Sequence, residues 1–400
     1  MRYKLILLLA AMSVMNSAKA STSIADAIKG GEASLDMRLR YEAVEQDNVA
    51  KDADALTLRT RLGYTTAEYQ GFSAKLEMED VRIAGGFDEY TVGPAGFNPG
   101  QYSVIADPEV TEVEQGFVQY KSKPLLVKLG RQVITYDGHR FVGHVGWRQD
   151  RQTFDALSVK AQPIDKLTLN YSYLFKRNRI FAEAADAKSK DHLLNAAYQS
   201  PVGKLVAYAY LLETDNGTSN GLDTYGISLK GATKVSGNKL SYRAEYATQE
   251  SSNGATEFDA DYLLLEGGLA VSGITFQLGY ELLGSDSGSY GFSTPLATLH
   301  KFNGWSDQFL GTPSQGLEDI YVAVGGKALG GKWKLVYHDF SVDDSSATID
   351  DLGSELDVLF AKKFGGTYSA GIKYAAYSAG DATAGKVDTD KLWLWVGAKF

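Results

Sequence analysis

The side chains in this 400-residue chain that could do chemistry are few and scattered. There are five histidines, at 139, 144, 192, 300 and 338, and no cysteine. Hydrolysis at a His would need an acid to orient the ring and a nucleophile beside it. His139, two residues from Asp137, is the nearest approach, and no Ser-centred motif accompanies it. His139 and His144, five apart, make a poor metal pair without a third ligand. Asp215-Asn216-Gly217-Thr218-Ser219-Asn220-Gly221 has the flavour of a calcium loop but lacks its terminal Glu. No phosphate-cradling glycine loop is present, so the sequence implies no enzyme, no metal and no cofactor. Its chemistry lies instead in charged residues repeating at every second position.

That period belongs to strands. Leu35, Met37, Leu39 and Tyr41 alternate with Asp36, Arg38, Arg40 and Glu42, and Leu56, Leu58, Leu62 and Tyr64 with Arg59 and Arg61. The same alternation places Lys75, Glu77, Glu79, Lys128, Lys160, Lys176, Lys230, Arg243, Glu245, Lys327, Lys334, Asp357 and Lys373 on one face. Successive strand residues point to opposite sides of a sheet. A sheet that is apolar outside and charged inside fits a transmembrane barrel around water. The last strand runs to Phe400 with Leu392, Leu394, Val396 and Ala398 on its apolar side.

Such runs number about eighteen, beginning near residues 33, 55, 71, 112, 124, 151, 166, 190, 203, 221, 238, 259, 273, 317, 331, 353, 367 and 389. Turns after the even-numbered strands are tight, as at Pro201-Val202 and Ser272-Gly273. Those after the odd-numbered strands are long, as over 84–111, 135–150, 178–189, 284–316 and 343–352. Short periplasmic turns opposite long extracellular loops mark an outer-membrane barrel. The reading is an all-β chain: one antiparallel barrel over 21–400 in the Gram-negative outer membrane. Residues 1–20 are an export signal, with basic Arg2 and Lys4, an apolar run from Leu5 to Met12, and Ala18-Lys19-Ala20 as the cleavage site. Aromatics at strand ends, such as Tyr198, Trp333 and Tyr368, read as anchors at the membrane interfaces.

Composition agrees. Glycine (42) and tyrosine (24) are plentiful, proline (8) is scarce, and the formal charge is −9, which argues against nucleic-acid partners. Loss of Arg2, Lys4 and Lys19 with the signal makes the chain more acidic by three. Bases outnumber acids on the inner face, so the surplus acid is expected in outer loops, at Asp343-Asp344, Asp350-Asp351, and Asp107 with Glu109. A basic lumen favours anion entry. Arg38, Arg40, Arg59 and Arg61, with Lys75, Lys128, Arg243 and Lys334, are the expected pore-lining set. Pairing with wall carboxylates is the plainer role for the same side chains.

Two stretches are more distinctive. One contains Gly130-Arg131-Gln132, then Gly138-His139-Arg140-Phe141-Val142-Gly143, Trp147-Arg148-Gln149 and Thr153-Phe154-Asp155-Ala156. The other runs from Thr298-Leu299-His300-Lys301-Phe302-Asn303-Gly304-Trp305-Ser306-Asp307 through Gly316-Leu317 to Asp319-Ile320-Tyr321. Both resemble the alginate-export family of outer-membrane proteins. The resemblance implies a monomeric eighteen-stranded barrel whose electropositive, arginine-rich pore conducts an anionic polyuronate. Both stretches fall in long connections, so Arg131, Arg140, Arg148, Arg151, His300, Lys301 and Trp305 are candidates for a constriction folded into the lumen. They could equally pin those loops to the wall. The expected function is a passive channel in contact with lipid, conducting anionic solutes such as acidic oligosaccharides or alginate. The alternative is an occluded structural or adhesive barrel, or part of an envelope complex, closed by 84–111 and 284–316.

Overall fold

The computed structural model describes residues 21–93, 97–346 and 348–400; the export signal expected over 1–20 lies outside the described residues. Eighteen antiparallel strands close into one barrel. They are β1 (Glu32–Gln46), β2 (Ala53–Thr65), β3 (Phe72–Glu89), β4 (Val110–Lys121), β5 (Leu125–Gln132), β6 (Thr153–Ile164), β7 (Leu167–Asn178), β8 (Ala187–Ser200) and β9 (Gly203–Glu213). The second half comprises β10 (Gly221–Val235), β11 (Asn238–Asn253), β12 (Thr256–Val271), β13 (Ile274–Leu283), β14 (Leu317–Ala328), β15 (Gly331–Ser341), β16 (Asp351–Phe364), β17 (Tyr368–Ser378) and β18 (Thr389–Lys399). Every strand begins within three residues of the position read from alternation.

Closure is made by β1 and β18, in register from Asp36 opposite Lys399 to Gln46 opposite Thr389. Phe400 extends the seam by exchanging backbone hydrogen bonds with Leu35, at 2.8 and 3.2 Å. With no edge left, every strand's backbone groups can pair within the sheet, as a non-aqueous surrounding requires. Outward residues such as Leu62, Leu169, Phe276 and Leu278 are exposed, whereas their inward neighbours Arg40, Arg59, Arg61 and Glu79 are buried. A short helix, α1 (Ile24–Lys29), capped by Ser23, sits at the short-turn end, where Ala67 N–H donates to the Ala27 carbonyl.

One connection departs from the expected alternation. β11 and β12 are joined on the outer side by Gly254-Ala255, because both strands run sixteen residues and carry their hairpin past the neighbouring loops. Gly254 takes a positive φ of 65°, as a two-residue hairpin turn requires. The other outer connections stay long, and three of them turn back into the barrel.

Glycines on the inner face make room for aromatic rings. At Gly371 in β17 a Cβ would collide with the Trp395 ring lying across it from β18. Trp395 in turn packs edge-on against Trp147 of an inward loop, centroids 5.5 Å apart. Replacing Gly371 with Leu should force that ring aside and cost about 1–3 kcal/mol through overpacking. A lower unfolding midpoint of the barrel, read by the heat-dependent shift of its gel band, checks this.

Candidate functional site: the lumen and its inward loops

A barrel of this strand number would leave a wide aqueous lumen. Here that space is divided by the β5–β6 connection (133–152) and the β13–β14 connection (284–316), which meet inside. Gly143 N–H donates to the Leu296 carbonyl at 2.8 Å, Thr298 N–H to the His139 carbonyl at 3.0 Å, and Gln152 Nε2 to Gly143 and Leu296. Gly143 is needed at this contact, since a Cβ would press on the Thr298 backbone. Phe141, Val142, Phe292, Leu296 and Phe309 bury themselves against Tyr208, Tyr262 and Phe340 of the wall. Apolar loop residues therefore take up lumenal space that water would fill in an open pore.

Charge fastens this layer. Arg38 donates to Gln149 Oε1 at 2.9 Å and to the carbonyls of Gly146, Trp147 and Arg148. Arg40 meets Glu42, the Trp147 carbonyl and Asp107. Arg59 pairs with Asp36, and Arg61 with Glu79, with Glu114 at 3.3 Å and with the Gln149 carbonyl at 3.0 Å. From the loop side, Arg148 grips Glu42 and Asp307, both at 2.9 Å. Arg151 reaches Glu77 and Glu114, and Arg140 binds Glu281 at 2.7 Å, Thr294 and Asn303. Arg131, on the wall, forks onto Asp155. Lys75 pairs with Glu77 at 2.9 Å and Arg243 with Glu245.

A third lock surrounds Lys373 of β17. Its ammonium lies 3.8 Å from the Trp305 ring centroid, 4.6 Å from Trp147 and 5.2 Å from Trp393, and 2.7 Å from His300 Nε2. His300 stacks on Trp147 at 5.1 Å and holds Asp307 at 2.6 Å through Nδ1. Cation–π attraction grows when the cation is desolvated, as Lys373 is. One wall lysine thus gathers rings from both loops and from β18. The inward parity of Trp393 and Trp395, opposite Leu392 and Leu394, was the sequence signal for this lock.

Several expectations change. Asp107 is not an outer-loop charge: it is 1% exposed, beneath Arg40 and the Gln149 amide, because the 90–109 connection also folds inward. The lumenal acids are correspondingly numerous, so the inner face does not carry the unbalanced arginine charge that parity alone suggested. Arg59 and Arg61 find their acids on β1, β3 and β4. Asp137 turns from His139 toward Asn195 and Lys204, 2.6 Å from the latter. Within 215–221, Asp215 pairs with Lys190 at 3.0 Å.

Three wall lysines lack such partners: Lys128, Lys230 and Lys334 make no ion pair among the described residues. Lys204, Lys230 and Arg243 stand opposite one another across β9, β10 and β11. Lys301 of the inward loop, bonded to the Gly138 carbonyl at 2.6 Å, is held below its ordinary value by burial and by the charges of Arg243, Lys230 and Lys334. On the periplasmic side a polar cavity of about 510 Å³ is lined by Lys128, Lys160, Lys204, Asn170 and Asn195, among others. A second, of about 380 Å³, opens on the outer side beside Arg148, Arg179, Lys391 and Phe181.

Arg148→Met would leave Glu42 and Asp307 with one fewer buried partner, loosening the docked loop by about 3–5 kcal/mol. Adding Glu42→Gln alone should recover part of that, since Arg40 keeps Asp107 and Asp307 keeps Lys391 and His300, with protease sensitivity of 133–152 as the readout. Burial lowers the His300 ring to about 3 against the pull of Asp307, and burial beside His139 lowers His144 to about 4. An undocked loop would carry histidines near the ordinary value of about 6.5. Below that pH the free loops take up protons that the docked ones refuse, so these rings make docking weaker as pH falls from about 6.5 toward 4. Protease sensitivity of 133–152 should rise over that window, and less so in His144→Gln.

The fold has solved counterparts. OccAB4 of Acinetobacter baumannii superposes with a TM-score of 0.73 at 14% identity, over 92% of this chain and 98% of that one. For OccK9 (OpdG) of Pseudomonas aeruginosa the values are 0.72 and 15%, over 94% and 100%. OpdK of Pseudomonas aeruginosa, solved with vanillate, gives 0.71 and 14%, over 92% and 98%. No curated protein sequence matches the chain. Residues 32–285, more than half of the chain, match the family described as alginate export, and the protein is a member of that family of outer-membrane barrels.

Proposed function

We propose that this porin-like outer-membrane channel is passive, monomeric and anion-preferring, and that acidic saccharides are its solute class. The observation that carries the reading is the set of lumenal lysines that form no ion pair among the described residues, Lys230 and Lys334 around Lys301, with Glu266 and Asp357 the carboxylates nearest them, beside arginines that are almost all paired. An ammonium held off its nearest carboxylate keeps part of its field, and a row of such charges lowers the cost of an entering carboxylate while keeping each stop weak. Arg38, Arg40, Arg59 and Arg61 act mainly as docking groups in this reading, with Lys75, Lys128 and Arg243 along the wall. The family's description as alginate export and a fold relative solved with vanillate, itself a carboxylate, both agree with an anionic solute. The chain is exported with residues 1–20 as its signal, and no step of the function calls for catalysis.

The apolar loop layer favours a second reading, a barrel closed at rest. Current through single barrels in a planar bilayer under a salt gradient separates the two. An anion-side reversal potential, blocked by short alginate or galacturonate oligomers, is expected. Lys230→Glu, Lys301→Glu and Lys334→Glu together should shift it several-fold toward cations. Charge reversal of the four arginines should instead raise conductance by freeing loops. A folded barrel with no current would favour the closed reading.

A further inference from the structure

Beneath the β5–β6 loop three carboxylates meet. Glu79 of β3 and Glu114 of β4 point inward and are fully buried, and Asp150 of the loop reaches them with 0% exposure. One oxygen from each lies within 4.8 Å of the others. Arg61 and Arg151 both approach the wall pair, and Arg151 and Lys75 also meet Glu77. Of Glu77, Glu79, Glu114 and Asp150, only Asp150 has no ion pair among the described residues, and Glu112 adds a further negative charge near it. Neither of its oxygens makes a hydrogen bond of ordinary geometry, though the Ala182 backbone N–H is turned toward it. Oε1 of Glu79 is also without a partner.

Burying an unpaired carboxylate is costly, so oxygens converging from three segments ask for a positive centre. We propose that Glu79, Glu114 and Asp150 bind one divalent cation of the calcium class, which bolts the 133–152 loop to the barrel wall. The donor set is oxygen only, as a hard cation prefers; zinc would favour nitrogen or sulfur. Calcium accepts six to eight oxygens with carboxylates mono- or bidentate, whereas magnesium keeps several waters that a buried site has little room for. Such a bolt would form whichever solute the channel carries.

The test uses the full folded chain in detergent, stripped with EDTA and titrated with calcium chloride alone by calorimetry. Wild type should take up one tight calcium ion, with affinity at least about tenfold weaker in Asp150→Asn or Glu114→Gln. Calcium should raise the unfolding midpoint of stripped wild type and leave that of Asp150→Asn unchanged. Equal calcium responses in wild type and Asp150→Asn would overturn the proposal by placing binding in the acidic outer loops. So would a wild-type midpoint that follows pH but not calcium, which would make the triad a shared-proton site.

Discussion

A charge carried into a lumen crowded with protein must be paired, because water no longer screens it fully and an isolated buried ion is costly. This constraint explains why the β1 and β2 arginines sit where they do. Arg38 and Arg40 are surrounded by loop carbonyls and carboxylates, and Arg148 answers from the loop with Glu42 and Asp307. Removing any one partner leaves another buried charge exposed to its own desolvation cost. Loops 133–152 and 284–316 are therefore held in one arrangement by the wall.

Arginine and lysine divide the work according to their chemistry. The planar guanidinium forks onto carbonyls and carboxylates, which suits docking. A lysine is a compact point charge that can face water without an ion pair, as Lys230 does. Lys373 and Lys391 are taken out of water, Lys373 against indole faces and His300 and Lys391 on Asp307. Periplasmic and outer cavities then lie on either side of the loop layer, each with bases in its lining.

Most of the barrel was legible in the sequence because lipid and lumen impose a strict period of two on each strand. Strand starts such as 203, 221, 238, 317, 331 and 389 coincide with the alternation and its turn residues. Only Gly254-Ala255, a tight outer turn, broke the pattern. The site was less legible. Parity shows that Arg61 faces inward but not that Glu114, two strands away, or Gln149, in a loop, will meet it. Asp107 looked like surface charge because nothing local records that its loop folds inward. The Trp147–Lys373–Trp305 lock joins residues far apart in the chain, and only the inward folding of both loops onto β17 brings them together.

Lumenal charge docks the 133–152 loop against the wall. Amide hydrogen exchange on the folded barrel in lipid nanodiscs tests it most directly. The amides of Gly143, Val145 and Gln149 donate to partners outside the loop and should exchange far more slowly than those of the exposed outer loop 214–220. Equal, fast exchange in both segments would mean that the loop is not held inside, and the docking role of the arginines would fall with it.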